Sequence, residues 1–294
     1  MKKILITGKN SYVGKNVSSW LDNSPAKYCI DMISLRGNDW ENKDFSQYDV
    51  VFHVAGIAHV SSDPQLKELY YKVNRDLTIQ VANKAKAAGV KQFIFMSSII
   101  VYGDSSNDKN VISRETLPKP SNFYGNSKLE AEAGIRALES NQFKIVIIRP
   151  PMIYGKGAKG NYRKLSNVAR KFPLFPKIEN ARSVLHIDNL CEFIKIIIDN
   201  EETGIFFPQN KEYVKTSELV ELIAEFHGKK MYFTKLFNPL LNILSVRYKI
   251  FNKIFGNLIY DQDLSVYEYE YRVRGLRESI ILTEKGNEVN ERKY

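Results

Sequence analysis

A chain of 294 residues is long enough to bury one large domain, or a large domain with a smaller partner, and its 44% hydrophobic and 26% charged residues are those of a globular protein. A net charge of +10 admits nucleic acid, an acidic membrane face or an anionic small substrate as partner, but the basic residues are scattered along the chain, which argues against a nucleic-acid groove. Two distant cysteines, Cys29 and Cys191, give neither a disulfide framework nor a metal site and suit a reducing, cytoplasmic setting, and no apolar run reaches the roughly 20 residues that span a bilayer.

The first strand-like run begins at Lys3, which is read as leaving no room for a signal peptide. Apolar β-rich runs follow one another as KKILIT (2–7), YCIDMISL (28–35), DVVFHV (49–54), KQFIFM (91–96) and FKIVIIR (143–149). They are continuously apolar, as expected of strands covered on both faces. Helix-like segments lie between them at 11–21, at 64–88 before Gly89, and at 122–140. This βαβ series predicts an α/β fold with a Rossmann-type doubly wound parallel sheet. After Tyr154-Gly155 come a loop, a basic helix over 161–171, a short strand and a helix over 188–199, and from about 208 the pattern is helical and irregular. The expected division is a dinucleotide-binding domain over 1–154 plus about 183–207, and a smaller, mostly helical substrate lobe over about 155–182 and 208–294.

The run ITGKNSYVG (6–14) places Gly8 and Gly14 between a strand and a helix, with Ser11 where a third glycine is expected. A glycine turn opening a helix makes an anion site from the helix's first amides and its dipole. The bland alternative is that Gly8 only ends a strand and Gly14 only lets the helix pack closely; the strand, turn and helix together favour the phosphate loop. If the backbone at Ser11 needs positive φ, a serine costs on the order of 1–2 kcal/mol; otherwise its hydroxyl is free to reach a phosphate oxygen. The acidic residue that normally binds the adenosine ribose, roughly 20 residues past the glycines, is replaced by Arg36, which suits a 2′-phosphate, with Asp39 as the alternative contact.

The stretch SNFYGNSKLEAEAGI puts Tyr124 and Lys128 four residues apart on one helix face. A tyrosine acts as acid or base near neutrality only if its pKa falls from about 10 towards 7, roughly 4 kcal/mol, and a nearby ammonium and an oxidised nicotinamide both push it that way. Ser97 and Ser98 stand at the carboxyl end of the preceding strand, where open α/β sheets bind ligands.

These pieces resemble the extended short-chain dehydrogenase/reductase family, in its nucleotide-sugar epimerase/dehydratase branch. The resemblance runs through Thr7-Gly8-x-x-Ser11-x-x-Gly14, HVAG (53–56), Asn74, SSIIVYG (97–103), Tyr124-x-x-x-Lys128, RPPMIYG (149–155) and ARSVLHIDNL (181–190), and is thin beyond Phe207. It implies Tyr124 as acid/base, Lys128 on the nicotinamide ribose and lowering the tyrosine pKa, and Ser98 on the reacting sugar oxygen. It implies cofactor contacts from Thr7, Gly8, Asn10, Ser11, Tyr12, Val13, Gly14, Val54, Ala55, Gly56, Ser97 and Pro150, with Asn74 as brace. Arg182, whose fork suits pyrophosphate, and Asn161 would meet the substrate.

The 4,6-dehydratases of this family carry an acidic pair after the serine, where this chain has Ile99 and Ile100, so water elimination is not expected. Hydride transfer at C4 of a nucleotide-linked hexose, UDP-linked, remains, for surface polysaccharide precursors. Arg36 and the loop YGKGAKGNYRKL (154–165), which resembles that of sugar-nucleotide 4-reductases, lean towards a 4-ketoreductase using NADP rather than NAD; a UDP-glucose or UDP-N-acetylglucosamine 4-epimerase is the alternative. A non-catalytic nucleotide-sensing module is disfavoured by the presence of Ser98, Tyr124 and Lys128. Such families are commonly homodimers. The apolar, basic segment 235–259 is read as the core of the substrate lobe, with an interfacial membrane helix as the alternative. His53, His59 and His186 have no metal spacing, and the final KGNEVNERKY is expected to fray.

Overall fold

The computed structural model describes residues 1–58, 63–103, 111–236 and 255–291. In chain order the strands are β1 (Lys2–Thr7), β2 (Tyr28–Ile33), β3 (Val50–His53), β4 (Gln92–Met96), β5 (Val111–Ile112), β6 (Lys144–Ile148), β7 (Met152–Tyr154), β8 (Leu174–Pro176), β9 (Val184–His186), β10 (Gly204–Phe206), β11 (Tyr232–Thr234) and β12 (Ile259–Tyr260). The α-helices are α1 (Tyr12–Leu21), α2 (Lys67–Tyr71), α3 (Leu77–Ala87), α4 (Phe123–Arg136), α5 (Asn161–Lys171), α6 (Ile187–Asp199), α7 (Thr216–Phe226) and α8 (Leu276–Glu291). Two compact units result: 1–103, 117–150 and 190–208 form the first, and 104–116, 151–189 and 209–294 the second.

The first unit is a six-stranded, wholly parallel sheet in the order β10-β6-β4-β3-β1-β2. Strand order reverses between β1 and β3, so the ligand crevice of such a sheet opens past Thr7 and His53, which are paired in register. The inner strands are apolar because both faces are covered: Leu5, Val51, Phe93, Phe95, Ile145 and Ile147 share one core with Val81 and Ala85 of α3 and Ala131 and Ile135 of α4. On the other face Gly14 of α1 lies against Ile6, and Trp20 of α1 donates to Glu192 of α6 at 2.8 Å. The edge strand β2 alternates instead, which leaves Cys29 exposed.

Helix starts follow the capping chemistry in the sequence. Ser11 caps α1 and Asn122 caps α4, each side-chain oxygen accepting from a backbone amide three residues on. The helix expected over 64–88 is broken into a 3₁₀ turn (Pro64–Leu66), α2, a π-turn over Lys72–Asp76, and α3.

The second unit holds three two-stranded parallel pairs, β7 with β9, β8 with β11 and β5 with β12, around α5, α7 and α8. Its core includes Tyr154, Tyr162, Leu165, Phe175, Val184, Val220, Ile223 and Ile280. The β7 and β9 residues fall here and not with the dinucleotide-binding sheet, because they bond to each other and not to β6 or β10. The terminal stretch expected to fray is helical as far as Glu291. Buried Glu284 anchors it, accepting from Ser166 at 2.8 Å and sitting 2.9 Å from His227. Of the segment 235–259, residues 237–254 lie outside the described residues, as does His59. Among the described residues no helix is long and apolar enough to cross a membrane.

Candidate active site

The glycine loop after β1 folds tightly against the end of β2 and the chain just past β3. Gly8 has φ +94°, and a Cβ there would stand 3.0 Å from the backbone nitrogen of Ala55, so neither the conformation nor the space accepts a side chain. The Gly8 and Lys9 amides both donate to the Ile33 carbonyl at 2.9 Å, and Ser11 N–H donates to the Gly8 carbonyl at 2.7 Å. Ser11 is extended at φ −70°, ψ 144°, and its Oγ accepts from the Gly14 amide at 2.9 Å. It is therefore an unstrained N-cap, which answers the positive-φ question posed by the sequence in the negative. Gly14 is buried, and a Cβ would meet Ser11 Oγ at 2.6 Å, Val54 Cγ2 at 3.0 Å and Ile6 Cγ2 at 3.1 Å. The first intrahelical bond runs from Lys15 to the Ser11 carbonyl at 3.1 Å, so Tyr12 and Val13 stand at the positive end of α1. This closed loop fits a dinucleotide pyrophosphate. Asn10 is exposed on it, and Arg36 and Asp39 are exposed just past the end of β2.

Beneath the loop runs a buried polar chain. Thr78 Oγ1 donates to the Asn74 carbonyl at 2.8 Å, so its proton is spent and His53 Nε2 must donate to it at 3.0 Å. His53 Nδ1 then accepts from Thr7 Oγ1 at 2.8 Å. Thr7, expected at the cofactor, thus turns its hydroxyl to His53. Complete burial and the Lys128 charge push the His53 pKa down to about 3, keeping the ring neutral. Asn74, carried by the π-turn, grips Ile57 at both backbone atoms, accepting from its amide at 2.8 Å and donating to its carbonyl at 3.0 Å, and donates to Ser127 at 3.2 Å. That fixes the loop holding Val54, Ala55 and Gly56. A Cβ at Gly56 would lie 3.1 Å from Asn74 Oδ1 and 3.3 Å from Lys128 Nζ.

Ser98, Tyr124 and Lys128 gather past the carboxyl end of β4. Ser98 caps a 3₁₀ turn over Ile99–Tyr102, accepting from the Ile100 amide at 3.3 Å, and its hydroxyl lies near enough to the Tyr124 phenol to draw that phenol's pKa down. Tyr124 is half-buried, edge-on to Tyr70 with ring centroids 5.9 Å apart. Burial pushes its pKa up to about 12, with Ser98 pulling the other way. The sequence predicts a phenol drawn down by Lys128; here the ammonium turns instead to the Met96 carbonyl at 2.8 Å, over the Phe95 ring at 4.5 Å. Burial lowers the Lys128 pKa to about 8, opposed by the Glu132 carboxylate.

Glu132 and Arg149 are the residues that motif reading passes over. Glu132 continues the Tyr124 and Lys128 face of α4 at the same four-residue step, and is 2% exposed. Its carboxylate accepts from Arg149 Nε at 3.1 Å and Nη2 at 2.5 Å, a bidentate buried pair, while Arg149 Nη1 donates to the Tyr102 hydroxyl at 2.7 Å. Ser97, expected at the cofactor, donates its hydroxyl to Glu132. Ile99 N–H donates to the Pro150 carbonyl at 2.9 Å, so the serine turn is tied to α4 and to the end of β6. The carboxylate spaced four residues past Lys128 was the available signal.

In the second unit Arg182 bridges Val214 and Leu258 through its backbone, and its guanidinium donates to the Gly256 carbonyl at 2.9 Å. Burial lowers its pKa to about 10. Asn161 opens α5 after Gly160, at φ +105°. Among the described residues no cluster of His, Cys, Asp or Glu could hold a metal.

The sequence matches the model of the NAD dependent epimerase/dehydratase family over residues 4–207. It is 31% identical over 278 residues to UDP-glucose 4-epimerase of Vibrio cholerae, covering 87% of this chain and 83% of that one. Among solved structures, UDP-glucuronic acid 4-epimerase from Bacillus cereus, in complex with UDP-glucuronic acid and NAD, superposes with TM-score 0.76 at 20% identity, over 99% of this chain and 100% of that chain. The dTDP-4-dehydrorhamnose reductase of Bacillus anthracis, in complex with NADP, gives TM-score 0.65 at 20% identity over 79% and 83% of the two chains. At these identities the two structures establish the shared fold.

Proposed function

The chain belongs to the NAD-dependent epimerase/dehydratase family, and from that premise we propose that it transfers a hydride to C4 of a nucleotide-linked 4-keto hexose, UDP-linked, with Tyr124 giving the proton to the C4 oxygen. The observation that carries this reading is the placement of Ser98 directly past β4 together with Tyr124 and Lys128 on one helix, the Lys128 ammonium reaching the Met96 carbonyl at the end of that strand. Burial keeps the phenol protonated at neutrality, so the proton to be given is in place; efficient transfer requires its pKa to fall from about 12 towards 7 once cofactor and substrate are bound. Ser98 steers the reacting oxygen. Lys128 holds the nicotinamide ribose, and the loop from Gly8 to Gly14 holds the pyrophosphate. When bound, the nicotinamide supplies the hydride.

Arg36, exposed past β2, pairs with a 2′-phosphate in this reading and selects NADP. Val54, Ala55, Gly56 and Pro150 flank the cofactor, Asn74 fixes that wall, and Arg182 and Asn161 meet the substrate's pyrophosphate and sugar. Ile99 and Ile100 supply no acid or base for dehydration. The sparse cysteines support a reducing, cytoplasmic setting for the reaction.

The second reading, 4-epimerisation, is favoured by the identity to the Vibrio cholerae enzyme. Two incubations separate them. UDP-galactose or UDP-N-acetylglucosamine without added reductant should stay unchanged, whereas a UDP-linked 4-keto sugar should consume NADPH. Interconversion in the first tube establishes the epimerase, and inactivity in both overturns C4 chemistry.

A further inference from the structure

Among the described residues, nothing covers one face of the β8–β11 ribbon. Its register pairs Leu174 with Tyr232 and Phe175 with Phe233. Side chains alternate across a strand, so Phe175 and Phe233 enter the core of the second unit while the other set faces out. Phe172 leaves α5 in extended conformation, at φ −117° and ψ 137°, and continues the outward set by alternation, while Leu236 follows β11 in a turn, its amide donating to the Thr234 hydroxyl at 3.1 Å. Phe172 is 57% exposed, Leu174 45%, Tyr232 56% and Leu236 86%. Isolated exposed apolar residues are ordinary; three on one sheet face with a fourth in the adjoining turn are not.

The rim of this face is cationic. Arg170, Lys171, Lys177, Lys229, Lys230 and Lys235 flank the two strands, and neither 170–177 nor 229–236 contains an acidic residue. The Lys230 ammonium sits 5.4 Å from the Tyr232 ring centroid. The nearest acid along the first segment, Glu179, is already paired with Lys215 at 2.6 Å. From Phe226 to Tyr260 the sequence carries six Lys and Arg and no Asp or Glu.

We propose that this outward face docks the protein on an anionic bilayer surface. Aromatic and aliphatic side chains suit the headgroup boundary, and a surrounding ring of lysines suits acidic headgroups. A second copy of the chain seated on the face would bring one cationic rim against another, which like-charge repulsion opposes. The net charge of +10 adds a longer-range attraction to the same surface.

The test is sedimentation of the purified full chain with phosphatidylcholine vesicles, with and without phosphatidylglycerol. The expected result is pelleting that requires phosphatidylglycerol and weakens with added salt. The double variants Leu174→Asp/Tyr232→Asp and Lys230→Glu/Lys235→Glu should each lower partitioning by about tenfold or more. Both pairs of sites are at the surface, and unchanged NADPH binding and circular dichroism would show that the fold survives. Absence of pelleting, or variants that pellet like the parent, overturns the proposal, the latter by placing lipid contact elsewhere. Self-association in solution that Leu174→Asp/Tyr232→Asp abolishes, without lipid binding by the parent, also overturns it in favour of a second copy. Because no arm measures turnover, the outcome is independent of the C4 chemistry.

Discussion

Replacing Tyr124 by Phe removes one oxygen, and with it the proton donor. Turnover should fall by about 10²-fold or more, while NADPH titration of the variant stays near the parent; retained turnover would remove Tyr124 from the chemistry. At Ser11 the extended backbone makes a different contrast. Ser11→Ala loses the cap and should cost about 1 kcal/mol in urea unfolding, Ser11→Gly only a few tenths. Since no positive φ is relieved, neither variant should tighten the cofactor. His53 carries a pH dependence. Its pKa is about 3 folded and about 6.5 unfolded, so its contribution is complete above pH 6.5 and is lost as the pH falls towards 3. Between about pH 7 and about pH 4.5 that loss is about 2.5 kcal/mol. His53→Gln should flatten the parent's stability profile by about that amount across this window, leaving the slope due to His186, whose pKa burial lowers to about 4; an unaltered profile would mean that the imidazole is not held neutral.

Along α4 the four-residue step places Tyr124, Lys128 and Glu132 on one face, so a single helix positions both the proposed proton donor and the carboxylate that anchors the serine turn. Glu132→Gln leaves Arg149 without its buried counter-charge and should destabilise by about 3–5 kcal/mol. Exchanging both partners for apolar residues, Glu132→Leu with Arg149→Met, should recover most of the stability while kcat stays low, because Ser97 and Tyr102 lose their anchor; full activity in that double variant would reduce the pair to packing. The main elements were legible because apolar runs and capping residues fix helix and strand ends locally. The π-turn was not: KVNRD has no residue that marks a widened turn, and the register shift exists only because Asn74 bonds Ile57 from across the chain. The same holds for β5 and β12, whose two residues each carry no period to read.

At the level of the whole molecule the parallel sheet was readable from its buried strands, as was the Ser98, Tyr124 and Lys128 set from its place at their carboxyl ends. The assignment of β7 and β9 was hidden, since an apolar triplet does not say which neighbour it bonds. Connectivity has a further consequence. The chain leaves one unit for the other at 103–104, 116–117, 150–151, 189–190 and 208–209. During synthesis β1 to β4 emerge within the first third of the chain, yet the outer strand β10 arrives only after α5, whose packing partner α7 comes later still. No single cut releases either unit intact, so a nascent chain that has emerged from the exit tunnel as far as Pro208 would hold a finished sheet and an orphaned α5 with its apolar side open. Chaperone capture should therefore be greatest for ribosome-bound chains long enough for Pro208 to have emerged, and should decline once α7 has cleared the exit tunnel.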